Sequence, residues 1–382
     1  MKILTYDIIP KDMKILTTLF AMMLYAVPAL SQGDSYTIRG VAEGTVDGDT
    51  VYLCKLASLF SIKRIDSTKV AGGEYLFKGS YPGCGVHYVM TYRNGSYKGL
   101  TAIMLENADI QIHSFPADSK KEAIVSGGPN HMLWKEYKSI QKKWQDKKLP
   151  YWKTTQDSTV ARRAQMLAQK AIDSLSVLQN DESFDFMMEH LPAPFSNLVL
   201  GEIFTSLPQE KKEVALQAFK EKYPEASNLK QMAAETNTDE AGAVGKTFTD
   251  FSMADVDGNP VSVGSFVKKN RYTLVDFWAS WCGPCRAEMP YVVEAYEKYH
   301  NKGLEVVGIS LDNKADAWKE AIGKLKLPWP QLSDLQGWKS LGADIYHIKA
   351  IPANILIDSN GVIVAKNLRG LTLLYKIDEL LN

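Results

Sequence analysis

Between residue 35 and about residue 128, apolar and polar positions alternate. Tyr36 and Ile38, Val51 and Leu53, Tyr75 and Phe77, Val86, Tyr88 and Met90, and Ile110 and Ile112 all recur at a spacing of two. Successive side chains of a strand point to opposite faces, so this spacing predicts strands with a buried face. Asp47-Gly48 and Gly72-Gly73 supply turns between them. Residues 32–130 are therefore expected to form a small β sandwich or barrel. From residue 131 the period changes: Trp134, Tyr137, Ile140 and Trp144 fall at helical spacing, and long stretches carry neither glycine nor alternation. Residues 131–240 read as a helical connector. The small, polar run Thr236 to Gly245 reads as a hinge.

A third regime begins near residue 241. The near-continuous apolar run 272–279 predicts a strand buried on both faces. A helix over about 283–300 follows, with Pro290 predicting a kink, and then a strand over 304–310. That βαβ unit implies parallel strands. A helix over 315–326, a strand from Ala353 to Asp358, a turn at Ser359-Asn360-Gly361, a strand over 362–365 and a closing helix over 371–381 complete residues 241–382. The predicted architecture is multidomain, with an α/β sandwich around a mixed sheet at its C-terminal end.

The N-terminal residues add a destination. Met13-Lys14, the apolar stretch Ile15 to Leu30 and the small-x-small site Ala29-Leu30-Ser31 predict a signal peptide over 1–31 with cleavage before Gln32. The repeat of Met-Lys-Ile-Leu-Thr at positions 1 and 13 marks Met13 as an alternative start. About 16 apolar residues containing a proline are short for a membrane span. A periplasm or cell-envelope location follows. Charge is balanced at 44 basic against 44 acidic residues, which gives no support to a nucleic-acid partner. The lysines around residues 135–153 read as a solvated helix face.

The chemistry is concentrated at Trp281-Cys282-Gly283-Pro284-Cys285, directly after the buried strand. Cys282 falls at a helix N-terminus, where unpaired backbone N–H groups and the helix dipole favour a thiolate. It is the expected attacking thiol. Cys285 lies one turn deeper at i+3 as the resolving thiol, and Pro284 fits the first turn, where its missing N–H costs little. Attack, mixed disulfide and resolution is the expected sequence. Asp276 interrupts the buried strand, so desolvation should raise its pKa and suit it to take the proton of Cys285. Glu288, three residues past Cys285, shares its helix face and is a second candidate for tuning that thiol. The remaining cysteines, Cys54 and Cys84, do not form a second CxxC, which argues against a zinc site, and none of the six histidines has metal-ligand spacing. In an oxidising compartment Cys54 and Cys84 are either a structural disulfide or two inert buried thiols.

From about residue 243 onward the chain resembles the thioredoxin superfamily, and within it the exported TlpA/ResA-like branch. The resemblance rests on Val244-Gly-Lys-Thr-Phe-Thr-Asp-Phe251, the Asp-Gly-Asn-Pro turn at 257–260, Phe-Trp-Ala-Ser-Trp before the cysteines, the Cys-Gly-Pro-Cys motif itself and Arg-Ala-Glu-Met-Pro290 after it. It implies a thioredoxin fold with helices on both faces of a mixed sheet. It also implies a cis-proline facing the dithiol, a place occupied by Pro352, with Pro352 and the Ile351 carbonyl docking extended substrate backbone beside Trp281, Gly283 and Pro284. Asp276 matches the buried aspartate of thioredoxin, whereas TlpA/ResA-like proteins often carry asparagine there, and Glu288 matches a glutamate of those exported relatives. Which carboxylate assists Cys285 stays open. The region ahead resembles an uncharacterised β domain that often precedes such domains, through Asp66-Ser67, Gly73-Glu-Tyr-Leu-Phe-Lys-Gly79 and Leu105-Glu-Asn107. The implied activity is thiol-disulfide exchange on protein disulfides, reducing rather than oxidising. It needs no cofactor beyond the dithiol and would draw electrons from a membrane thiol donor. The rival readings are an oxidase or isomerase, a ligand-binding envelope module, and a thiol peroxidase, although the chain has no Pro-x-x-x-Thr-x-x-Cys motif.

Overall fold

The computed structural model describes residues 33–58, 61–224, 226–238 and 242–382. The signal-peptide segment 1–31 lies outside the described residues. The chain divides into two compact units, one holding residues up to Asp146 with Ser176–Ala233, the other Lys147–Leu175 with Ala234–Asn382.

In the first unit the alternating pattern becomes β1 (Tyr36–Ala42), β2 (Thr50–Ser58), β3 (Ser61–Lys69), β4 (Glu74–Gly79), β5 (Gly85–Arg93), β6 (Ser96–Leu105), β7 (Asp109–Ser114) and β8 (Ile124–Ser126). They form two four-stranded sheets, ordered β4-β1-β7-β8 and β3-β2-β5-β6. Among the described residues of this unit, β1 and β7 are the pair that runs parallel. Ile38, Phe77 and Ile110 of one sheet share a core with Val51, Leu53, Val89 and Ile103 of the other, which makes the pair a sandwich. The residues between them, Cys54, Tyr88 and Met90, turn to the opposite face and pack with Trp134, Tyr137, Phe195 and Leu198. Those come from the helical segment: α1 (Pro129–Gln156), α2 (Arg162–Glu189), α3 (Pro194–Ile203), α4 (Gln209–Lys222) and α5 (Ser227–Thr238). The aromatic stripe at helical spacing is thus core. Because α5 runs to Thr238, the start of the segment read as a hinge is helical.

Cys54 and Cys84 are separate buried thiols, which corrects the possible disulfide. Cys54 pairs across the ladder with Tyr88. Cys84 lies four residues before Tyr88, an offset of about 13 Å along a strand, where a disulfide needs Cα atoms within roughly 7 Å.

The second unit carries a five-stranded sheet. A hairpin of β9 (Ser252–Ala254) and β10 (Pro260–Ser262) and a short helix, α6 (Gly264–Val267), lead into β11 (Tyr272–Trp278). Then come α7 (Gly283–Tyr299), β12 (Leu304–Ser310), α8 (Ala315–Leu325), β13 (Gln331–Leu332), α9 (Leu341–Ile345), β14 (Ala353–Asp358), β15 (Ile363–Lys366) and α10 (Gly370–Leu381). The sheet order is β13-β12-β11-β14-β15. β11, β12 and β13 run parallel, β14 pairs antiparallel with β11, and β15 pairs antiparallel with β14, so the sheet is mixed. Leu274, Val275 and Phe277 are fully buried, as a central strand requires. Pro290 lies inside α7, which is one helix from Gly283 to Tyr299.

Part of the helical segment belongs with this second unit. Met166 lies in its core, Arg162 pairs with Glu294 at 3.1 Å, and the Asp173 carboxylate accepts hydrogen bonds from Thr372 and Tyr375 at 2.8 Å each. Residues 147–175 therefore do not behave as a connector. They bury the face that α7 and α10 share, which helical periodicity in one segment cannot reveal.

Candidate active site

β11 ends at Trp278, and the chain turns through Ala279, Ser280 and Trp281 into α7. Asp312, just past β12, holds that turn. Its carboxylate accepts the Ser280 N–H at 2.9 Å and the Ser280 hydroxyl at 2.6 Å, and the Ser310 hydroxyl at 2.8 Å. Trp278, fully buried, donates its indole N–H to the Gln331 side chain at 3.0 Å. The base of the dithiol loop is thereby tied to β12 and β13.

Cys282 is the N-cap of α7, with Gly283 and Pro284 as the first helical residues. Its sulfur accepts the Cys285 N–H at 3.1 Å, satisfying one of the amides that a helix start leaves unpaired. Cys282 and Cys285 form a disulfide with Cα atoms 5.3 Å apart. Cys285 is fully buried and Cys282 is only 5% exposed, so the bond is approached from the Cys282 side. Trp281, Gly283 and Pro284 are exposed around it. A Cβ added at Gly283 would meet nothing within 4 Å, so the pocket leaves open space there.

The Ile351–Pro352 peptide bond is cis, and the Ile351 carbonyl oxygen lies 3.8 Å from Cys282 Sγ. The sequence-predicted docking edge and the sequence-predicted attacking thiol are thus in contact. Trp338, on a short 3₁₀ turn at Gly337–Lys339, stands with its ring centroid 6.1 Å from that of Trp281. Both rings are about half exposed.

Asp276 is in register with Asn354 of β14 and is 4% exposed. Burial pushes its carboxyl up to about 7, opposed by the Arg369 guanidinium and a hydrogen bond from Asn354, and reinforced by the negative charge of Glu288. Glu288 itself accepts the backbone N–H of Gly370, the first residue of α10, at 2.8 Å. A carboxylate there meets both an unpaired amide and the positive end of the helix dipole. The two carboxylates named from sequence are therefore close enough to influence each other, and both act within reach of Arg369.

Arg369, Asn354, Asp312 and Trp338 escaped the reading of the sequence. Arg369 is a half-buried cation that donates to the Pro352 carbonyl, and its own pKa is lowered by burial while Asp276 and Glu288 oppose that shift. The one available signal was a lone arginine immediately before a helix that starts with glycine. Asn354 secures the same segment, accepting the Leu368 N–H and donating to the Leu368 carbonyl, each at 2.9 Å. Among the described residues, no group of three or more His, Cys, Asp or Glu side chains is placed to hold a metal.

Residues 243–373 match the Redoxin family, and residues 36–134 match a domain of unknown function, DUF4369. The chain is 32% identical over 123 residues to the thiol-disulfide oxidoreductase ResA of Bacillus cereus, spanning 32% of this chain and 68% of that one. It is 34% identical over 124 residues to ResA of Oceanobacillus iheyensis, covering 31% of this chain and 62% of the relative. Among solved structures, the thioredoxin domain of a thiol-disulfide oxidoreductase from Bacteroides vulgatus is 36% identical, covering 37% of this chain and 99% of that one at a TM-score of 0.35. A C-terminal domain of a thiol-disulfide oxidoreductase from Bacteroides thetaiotaomicron is 38% identical, covering 37% and 97% at a TM-score of 0.35. Thiol-disulfide oxidoreductases are what the matched relatives are named, and the match runs through the segment that carries the dithiol. The chain belongs to the TlpA/ResA-like thiol-disulfide oxidoreductases of the thioredoxin superfamily, with a DUF4369 domain ahead of its catalytic Redoxin domain.

Proposed function

We propose that this oxidoreductase works in the bacterial periplasm or cell envelope as a reductant of protein disulfides. The observation that carries the reading is the Cys282–Cys285 bond at the N-terminus of α7, 3.8 Å on its Cys282 side from the Ile351 carbonyl. In the reduced protein, the Cys282 thiolate attacks a substrate disulfide, forming one S–S bond to substrate and releasing the other substrate sulfur as a thiolate. Cys285 then gives its proton to Asp276, attacks Cys282 and closes the intramolecular disulfide, and the second substrate sulfur leaves. Two electrons have passed to the substrate. A membrane thiol donor returns them by the reverse exchange. Ile351 and Pro352 dock the substrate backbone, and Trp281 with Trp338 flanks it.

The reducing direction rests on the Gly-Pro dipeptide between the cysteines, shared with thioredoxin, whose potential is about −270 mV against about −120 mV for the oxidant DsbA. Export rests on the apolar stretch Ile15 to Leu30 and its small-x-small end. The test is to equilibrate the mature protein, with Cys54 and Cys84 replaced, in dithiothreitol buffers and follow Trp278 and Trp281 fluorescence alongside thiol trapping. A potential near thioredoxin's supports the reductant, and one near DsbA's makes the protein an oxidant or isomerase. Replacing Cys285 with serine should accumulate mixed disulfides in the envelope fraction. Accumulation only in the cytoplasm would overturn the location.

A further inference from the structure

Three consecutive residues before and at the start of α10 are each fastened to a different part of the site. Leu368 is held through both its N–H and its carbonyl by Asn354, the register partner of Asp276. Arg369 donates from its guanidinium to the Pro352 carbonyl. Gly370 donates its N–H to Glu288. A half-buried guanidinium is costly unless its donors and charge are matched. Here one donor goes to the docking edge, and the charge faces two carboxylates on two other elements, β11 and α7. Among the described residues, the charged groups that act on Asp276 are the Arg369 guanidinium, which lowers its pKa, and Glu288, which raises it, with Asn354 as a hydrogen-bonding neighbour.

We propose that Arg369 is a positioning residue for the exchange reaction, coupling the Pro352 docking edge to the buried carboxylates and holding Asp276 as the carboxylate that accepts the Cys285 proton. This rests on the functional reading above for the role of Asp276. The physical consequence is direct. With Arg369 neutralised, the Asn354 hydrogen bond is left to offset the burial of Asp276 and the charge of Glu288, so Asp276 stays protonated to higher pH and is a poorer base at neutrality. The Pro352 carbonyl also loses its donor, which loosens the edge where substrate backbone pairs.

The test is a titration of the Asp276 carboxyl by carbon NMR in the full-length oxidised protein, beside the pH profile of protein-disulfide reduction. Arg369→Gln should move the Asp276 midpoint up by about one pH unit or more, and should slow exchange about tenfold on the acid side of the profile. Arg369→Lys keeps a charge on a shorter stem and should move the midpoint by less than half as much. In an Asp276→Asn background, Arg369→Gln should add less than about twofold. An unmoved midpoint, an equal shift with lysine, or an undiminished effect in the Asp276→Asn background overturns the proposal. If the wild-type protein reduces no protein disulfide, the functional reading fails, while the carboxyl titration still reports whether Arg369 governs Asp276. If Asp276→Asn exchanges as fast as wild type, the role of Asp276 and this proposal fall together.

Discussion

Cys54 and Cys84 in the β sandwich and Cys282 and Cys285 in the catalytic unit are almost equally buried: 1% and 0% exposed against 5% and 0%. Exposure therefore does not separate the inert pair from the redox pair. The difference lies in what surrounds each sulfur. Cys54 sits in the middle of a strand and its thiol is pushed up to about 11 by burial, with Arg64 offsetting only part of that. Cys84 is raised further, and the charge of Glu106 adds to the desolvation. Among the described residues, neither sulfur accepts an amide hydrogen bond or has a disulfide partner. Cys282 has both, because the chain leaves a strand and starts a helix there, so that the Cys285 N–H points at the sulfur. The lesson is that thiol chemistry here comes from a helix start and a partner one turn away, not from access to water.

The largest expected effect tests that contrast outright. Cys282→Ser should lower reduction of a protein disulfide by at least ~10³-fold, because the attacking group is gone. Cys54→Ala and Cys84→Ala should each leave the rate within about twofold. Turnover assayed with dithiothreitol as donor checks this. A tenfold loss in either sandwich variant would break the comparison.

Asp276 sharpens it from the carboxylate side. Its folded pKa of about 7 lies above the unfolded value near 4, so the group is neutral in both states below pH 4, and the folded state carries the cost of a buried charge above pH 7. Asp276→Asn should therefore stabilise the protein by up to about 4 kcal/mol at pH 8 and by little at pH 4. The same substitution should slow exchange by about 10²-fold near pH 8, where the wild-type carboxylate is ionised and able to accept a proton. Urea midpoints followed by tryptophan fluorescence at the two pH values, with exchange rates alongside, give the sign. An equal gain at both pH values would show that the aspartate is not a buried titrating group.

The redox pair was legible in the sequence because spacing alone places Cys282 and Cys285 on one helix turn. Asp276 was legible because a carboxylate in the run Leu274-Val275-Asp276-Phe277 contradicts its neighbours. Arg369 was not, since a single arginine before a helix is ordinary, and its meaning depends on Pro352, Glu288 and Asp276 arriving from three other elements. The same limit applies to the fold. The strands with alternating apolar residues were readable, whereas β3 was not: its residues Ser61–Lys69 are all exposed or half exposed, so nothing in their pattern marks a buried face. Helix periodicity also announced the core residues Trp134 and Tyr137 without showing that 147–175 packs with the catalytic unit, because a helical face does not name its partner.

A smaller effect is expected where the sandwich thiols are made polar. Cys84 is fully buried in the core cluster that holds Val86, Tyr88 and Met104, near enough to Glu106, Tyr81 and Tyr223 to interact with them, and among the described residues no hydrogen bond reaches its sulfur. Cys84→Ser places a stronger hydrogen-bonding group there and should destabilise the first unit by about 1–3 kcal/mol, against roughly 1 kcal/mol or less for Cys84→Ala. Denaturant unfolding of the two variants compares them. If serine costs no more than alanine, Cys84 is not the apolar core residue that the contrast with Cys282 requires.

The smallest effect concerns the rim of the site and asks how far the catalytic environment extends beyond the sulfurs. Trp338 is 50% exposed with its ring centroid 6.1 Å from that of Trp281, and among the described residues no hydrogen bond joins it to Cys282 or Cys285, so its expected part is in binding rather than in the chemistry of either thiol. What it offers is apolar ring surface beside an extended substrate. Trp338→Ala should raise KM for a disulfide-bonded peptide carrying an aromatic residue next to its cysteine by about three- to fivefold, with kcat unchanged, the pattern of lost uniform binding. A glycine-flanked peptide should show less than half that change. A fall in kcat with KM constant would place Trp338 among the groups that shape the thiols themselves, and the boundary drawn here between an electrostatic centre and an apolar rim would have to move outward to include it.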